Sequence, residues 1–323
     1  MKQTARVIGF ILGGGILIYQ AVKGISFLLD SKIVPSFGWL LFSLLFGVLA
    51  IAVQILCWTL IMRDLGASIS FRQAMTGYVL NFLPRYIPGT LWGYLSRAEW
   101  LKNQYGVEYS ASHWGSIVEV FLGVLSSLVA VLLFLPQGIS PIDRFLIATG
   151  TGLLLFLLWV FLNKISSFPS FGKIANPLLG FKMRLNIWVL AAFLLTLNWL
   201  NYGLVVYGTV KAVTHWQTVI VFPEWAQFSG LFSISWLIGF LSWLFPAGLG
   251  PRDWILSQGL VYAKALPFEM AYLVAVLVRL SGILSEVLWV LMNSVMTRKK
   301  STGTTLKDCT STQSNVPEKE EPY

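Results

Sequence analysis

Phe245-Pro246-Ala247-Gly248-Leu249-Gly250-Pro251-Arg252-Asp253 interrupts an apolar segment, 225–264, that otherwise has the character of a membrane helix. Proline removes a backbone donor and glycine frees the chain, so a helix entering from either side stops there. The same event occurs at Leu83-Pro84-Arg85-Tyr86-Ile87-Pro88-Gly89, inside the apolar segment 71–101. Both segments read as helix–break–helix units, with Pro84, Pro88, Gly89, Pro246, Gly248 and Gly250 as the structural breaks. Broken backbone at membrane depth is tolerated only where it is buried in protein or faces a watery cavity. The expectation is therefore two re-entrant helical hairpins whose tips meet near the midplane. Separate short spans or interfacial helices are the alternative.

The rest of the chain agrees with a membrane setting. Its 323 residues are 56% hydrophobic and only 11% charged, with mean hydropathy +0.72; a soluble domain is nearer a quarter charged. A water-soluble globular enzyme is excluded on that ground. Six stretches reach the roughly 20 apolar residues that a helix needs to cross the hydrocarbon core: 7–29, 37–62, 112–135, 145–162, 185–210 and 268–295. The first has a basic start but no small-x-small cleavage site, and it is too long for the apolar core of a signal peptide. Its Gly9-x-x-x-Gly13, followed by Gly14 and Gly15, suits close helix packing. The fold class expected is an all-α polytopic membrane protein, with about six full transmembrane helices plus two re-entrant hairpins.

A shift of 162 positions lays Pro84 on Pro246 and Trp92 on Trp254, which suggests an internal duplication. The two copies cover about 37–135 and 185–296. Three full spans separate the hairpins, an odd number, so the hairpins enter from opposite faces and the repeat is inverted, as in many transporters. Under that topology Lys2, Arg6, Arg63, Lys102, Lys164, Lys173, Lys182, Arg184 and Arg298-Lys299-Lys300 share one face. The positive-inside rule makes that face cytoplasmic, with both termini inside the cell and the plasma or inner membrane as the location. The formal charge of +9 is thus read as topology and lipid contact, with no nucleic acid partner. Residues 1–296 form the membrane domain, and 297–323 are too polar to bury a core and read as a disordered tail.

An ionised side chain at the centre of a membrane helix costs about 2.5–3.5 kcal/mol on insertion scales, so such residues pair or face a wet cavity. The candidates for substrate binding and transport are Arg85, Arg97, Glu119, Arg252, Asp253, Arg279 and Glu286. Arg279 and Glu286 are seven residues apart, two turns on one helix face. Arg85 and Arg252 each sit at a break, where half-helix N-termini and guanidinium groups together make an anion site. Arg252 and Asp253 read equally as a self-neutralising pair holding the break. Glu119 fits a structural ion pair with an arginine as well as it fits a transport role.

Other chemistries lack their residues. Two cysteines and two histidines, far apart, supply neither a metal cluster nor a disulfide framework. The chain carries no G-x-x-x-x-G-K-[ST] loop, no H-E-x-x-H and no G-x-S-x-G. No cofactor and no catalytic residue are expected.

The run Leu65-Gly66, Ile69-Ser70, Tyr86-Ile87-Pro88-Gly89-x-x-Trp92, Ser96-Arg97, Gly106-Val107 and Glu119 resembles the first half of a known membrane region. That region is the flippase-like part of the lysylphosphatidylglycerol synthase (multiple peptide resistance factor) family. Phe245 to Asp253, followed by Arg279-Leu280, resembles its second half, where P-x-G-x-G-x-R-E is usual. Asp253 stands where glutamate is usual and Pro251 where a small aliphatic residue is usual. The likeness covers roughly 7–296 and does not include the synthase domain, so the synthase activity is not carried over. The resemblance implies translocation of a phospholipid, with Arg97, Glu119, Arg252, Asp253 and Arg279 as transport-site residues.

The function expected is a lipid translocase for an anionic phospholipid or a polyprenyl-phosphate-linked intermediate, its partners being membrane lipids with anionic head groups. Transport would be downhill, voltage-assisted, or proton-linked through Glu119 or Glu286. The alternative is a non-transporting membrane partner of a lipid or polysaccharide biosynthesis enzyme. A lipid-linked glycosyltransferase using Asp253 or Glu119 is a third reading.

Overall fold

A computed structural model describes residues 2–80, 82, 84, 92–134, 140–165, 182–214, 222–242, 245–264 and 266–311. Every regular element among them is helical. In chain order these are α1 (Lys2–Ser31), α2 (Phe37–Asp64), α3 (Phe71–Val79), α4 (Trp92–Tyr105), α5 (Tyr109–Phe134), α6 (Pro141–Ile165), α7 (Leu185–Thr214), α8 (Phe222–Leu241), α9 (Pro251–Lys264) and α10 (Phe268–Ser311), with a 3-10 turn at Pro246–Gly248 before α9.

Among the described residues, five helical stretches are long and apolar enough to cross a membrane: Ile11–Ser31, Phe37–Asp64, Tyr109–Phe134, Leu185–Thr214 and Phe268–Met296. The sixth expected span, 145–162, falls within α6, where Thr149–Lys164 is a shorter apolar helix among the described residues. α10 continues past its apolar part into the polar stretch beginning at Thr297, as far as Ser311. Extending an existing helix needs no new nucleus, which is why a polar sequence can follow an apolar one in helical form.

The burial pattern is inverted relative to a water-soluble bundle. Leu41, Leu45, Leu49, Phe193, Leu284 and Leu291 point outward, whereas Ser43, Arg97, Asn198, Ser233, Asp253 and Arg279 are buried. Apolar side chains facing out and polar ones facing in are what lipid as the surrounding solvent demands. The architecture is that of a helical membrane protein.

α2 and α7 form the central pair and run antiparallel along their whole length. Ser36 N–H donates to Ala212 O at 2.8 Å, Ser43 Oγ to Val205 O at 3.0 Å, and Cys57 Sγ to Ala191 O at 3.6 Å. Asp64, at the end of α2, accepts from Arg184 N–H just before α7 at 2.7 Å. Around this pair α3 packs on α2 and α10, and α8 packs on α7 and α5; α4 lies on α5, and α9 on α10.

The two helix–break–helix units are present as helices on either side of each break. α3 and α4 flank the first, where Arg85, Pro88 and Gly89 lie outside the described residues. Pro84 is described and half-buried. At the second break Pro246 opens the 3-10 turn, and the backbone then turns left-handed at Ala247 (φ +49°), Gly248 (φ +66°) and Gly250 (φ +88°). Gly248 and Gly250 are also points of close approach. A Cβ on Gly248 would lie 2.9 Å from Gly239 Cα of α8, and one on Gly250 would lie 3.0 Å from Gly13 Cα of α1. Only glycine meets both the dihedral and the space requirement. Gly13 is thus the one member of the described Gly13-Gly14-Gly15 run that makes tight packing, since Gly14 and Gly15 face open space.

Candidate functional site

A cavity of about 260 Å³ lies among α2, α3, α5, α7, α8, α9 and α10. Its wall takes Gln54 from α2, Tyr78 from α3, Glu119 from α5, Asn198 and Tyr202 from α7, Phe232 and Trp236 from α8, Arg252 from α9, and Arg279 and Glu286 from α10. Glu119 lies ten residues beyond the start of α5, and Arg279 eleven beyond the start of α10. At 1.5 Å per residue each sits about 15 Å along its helix, half the thickness of a ~30 Å core.

Arg97 and Glu119 form the first charged pair. Arg97 is fully buried; its Nη2 donates to Glu119 Oε2 at 2.8 Å and to Ser116 Oγ at 2.7 Å. Its guanidinium carbon lies 4.0 Å from the ring centroid of Trp58 and 5.5 Å from that of Tyr78. Arginine suits this place because a planar, weakly hydrated cation can stack on rings and hydrogen-bond at its edge. Tyr78 Oη lies 2.6 Å from Glu119 Oε1.

Asp253 and Arg279 form the second. Arg279 Nε donates to both Asp253 oxygens at 2.8 and 2.9 Å, and its Nη2 to Gly248 O at 3.4 Å. Asp253 also accepts from Gly250 N–H at 3.3 Å, so it caps the first turn of α9 while neutralising an arginine of α10. The adjacent residues Arg252 and Asp253 therefore do different work. Asp253 turns to Arg279, while Arg252 borders the cavity with its guanidinium carbon 4.7 Å from the Phe232 ring centroid.

Compared with known proteins, the chain matches no family model and no curated protein.

Of the residues expected from the sequence, the structure brings Glu119, Arg252, Arg279 and Glu286 to one cavity. Arg97 and Asp253 stand behind its wall as partners of Glu119 and Arg279. Arg279 and Glu286 do share one face of α10, toward the cavity. Arg85 lies outside the described residues. The six described candidates balance, three arginines against two glutamates and one aspartate. Sequence reasoning missed the neutral polar lining of Gln54, Tyr78, Asn198 and Tyr202. Gln54 and Asn198 had a signal: each is an amide well inside an apolar helix, where a polar group without a partner is costly. Gln54 answers that cost through Nε2, which donates to Tyr202 Oη at 2.8 Å. Among the described residues, no group of three or more His, Cys, Asp and Glu side chains could hold a metal ion.

Proposed function

We propose that this protein is a membrane lipid translocase whose two broken-helix units form an inverted repeat, each unit dipping into the bilayer from its own side. The observation that carries the reading is the single cavity shared by Glu119, Arg252, Arg279 and Glu286, to which both units contribute. Arg252, in the first turn of α9, holds the phosphate of an anionic phospholipid or of a polyprenyl-phosphate-linked lipid. Aromatic and amide side chains line the path of the head group, and the acyl or prenyl chains stay in the surrounding lipid.

Element order supports the repeat. α4 and α9 are each followed, after a short link, by a long apolar helix, α5 or α10. In each copy a buried ion pair joins the second half-helix to that following helix, Arg97 to Glu119 and Asp253 to Arg279, with the charges reversed. Tracing the chain through antiparallel α2 and α7 sends α3 and α8 inward from opposite ends, the geometry of inverted-repeat carriers. The likeness to the flippase-like region of the lysylphosphatidylglycerol synthase family agrees with this reading. On it, the termini are cytoplasmic and the location is the plasma or inner membrane.

The test is reconstitution into liposomes containing labelled phosphatidylglycerol or a labelled polyprenyl-phosphate lipid. Wild type is expected to move one of them between leaflets, and Arg252→Ala to slow it at least about tenfold, the equivalent of a lost charge-assisted hydrogen bond. Equal background rates for both proteins with every such lipid would end the proposal.

A further inference from the structure

The hydrogen-bonded line beginning at Glu119 has one proton fewer than it has acceptors. Tyr78 carries a single hydroxyl proton, yet its oxygen lies 2.6 Å from Glu119 Oε1 and 3.2 Å from Gln54 Oε1. While Glu119 is ionised both of those atoms only accept, so Tyr78 serves one of them, and the shorter, charge-assisted bond goes to Glu119. Gln54 presents its carbonyl to Tyr78 because its NH2 donates to Tyr202 Oη at 2.8 Å. A proton added to Glu119 reverses the line. The neutral acid then donates to Tyr78 Oη, the phenol donates to Gln54 Oε1, and each oxygen in the line has its donor.

We propose that Glu119 is a proton-binding site, and that its proton, taken from and returned to water in the cavity, couples lipid movement to a proton gradient. The coupling rests on the transport reading above, whereas the proton binding does not. Two features bear on how the site works. Glu119 borders the cavity with 12% of its side chain exposed, which gives water a route to the carboxylate. Protonation costs Arg97 its anionic partner, and the contacts that do not depend on that charge are Ser116 Oγ at 2.7 Å and the Trp58 ring at 4.0 Å. The line also joins α5, α3 and α2 to Tyr202 on α7. Its reversal therefore reaches Gln54 on α2, which is itself bonded to Tyr202 on α7.

The groups facing Glu119 come from every side. Arg97 approaches from α4, Tyr78 from α3, and Cys57, an electrostatic neighbour, from α2. Tyr202 of α7 lies beyond Gln54, and Arg252, Arg279 and Glu286 line the same cavity from α9 and α10. α6 and α8 carry charged residues only near their ends: Asp143, Arg144 and Lys164 on the one, Glu224 on the other.

The experiment uses the full chain in mixed phosphatidylethanolamine–phosphatidylglycerol vesicles, with infrared difference spectra taken between about pH 8 and about pH 4, a range that reaches the ordinary carboxyl titration at about 4.3. Wild type should gain a protonated-carboxyl band that Glu119→Gln lacks, and Tyr78→Phe should keep the band with a shifted midpoint. Because Glu119→Gln strands a buried arginine, the paired variant Arg97→Gln/Glu119→Gln is run beside it and should also lack the band. A wild-type spectrum without the band, or one identical to that of the paired variant, overturns the proton site. A second arm imposes a pH gradient across the same vesicles and follows labelled phosphatidylglycerol. Wild type should move it several-fold faster with the gradient, and the paired variant at one rate with or without it. Gradient-independent transport by wild type overturns the coupling. A titrating band with no transport at all sinks the translocase reading and leaves the proton site standing.

Discussion

The Nε–H of Arg279 sits between the two carboxylate oxygens of Asp253, at 2.8 and 2.9 Å, and both side chains are buried. The same aspartate receives the Gly250 N–H, and the same arginine reaches Gly248 O. One ion pair thus ties together the break, the first turn of α9 and the middle of α10.

Removing only one member leaves a buried charge without its partner, at a cost of about 3–5 kcal/mol. Asp253→Ala should accordingly lower the thermal unfolding midpoint in detergent by many degrees. The paired change Asp253→Asn/Arg279→Gln should lose less than the single one, because it strands no charge. Tryptophan fluorescence on heating reads both, and an Asp253→Ala protein that melts with wild type would refute this account of the break.

Gly250→Ala should also destabilise, by about 1–2 kcal/mol for the left-handed backbone alone, with more for the contact 3.0 Å from Gly13. Gly14→Ala is the matched control. It adds the same methyl group where nothing lies within 4 Å, and should leave the melting temperature unchanged or raise it, since alanine favours helix. Similar losses from both substitutions would show that the Gly13–Gly250 approach is not what holds α1 to the break.

Gly282 borders the cavity, and a Cβ placed on it meets nothing within 4 Å. Gly282→Leu should therefore fold normally while filling the cavity. In the liposome assay the expected result is wild-type melting with lipid movement reduced to background. Full transport through a leucine-filled cavity would place the lipid path elsewhere.

Cys57 is fully buried between α2 and α7, so a native sample should resist maleimide at this position until it is denatured. That makes it a silent background for topology mapping once Cys309 is changed to serine. Glu108→Cys, in the exposed link between α4 and α5, and Tyr262→Cys, 84% exposed near the end of α9, should then label from opposite sides of a sealed vesicle. Labelling from the same side would dismantle the inverted repeat.

The helices and their interruptions were legible in the residues themselves. Proline at 246, glycines at 248 and 250, and the apolar runs around them act through local backbone chemistry and hydropathy, and the helix ends at 241 and 251 follow. The neutral lining was missed because Tyr78 and Tyr202 resemble any membrane tyrosine until their hydroxyls are seen to flank Gln54.

Composition and the two Pro/Gly interruptions were enough, unaided, to establish a membrane chain with two broken helices and a handful of buried charges needing partners. Which charge meets which was a matter of packing. Asp253 had Arg252 beside it in the chain and joined Arg279, 26 residues away; Arg97 had Glu99 two residues on and joined Glu119 instead. Neighbours in a helix point to different sides, so partners across helices are chosen by where the helices cross, and that depends on the shape of every side chain between them.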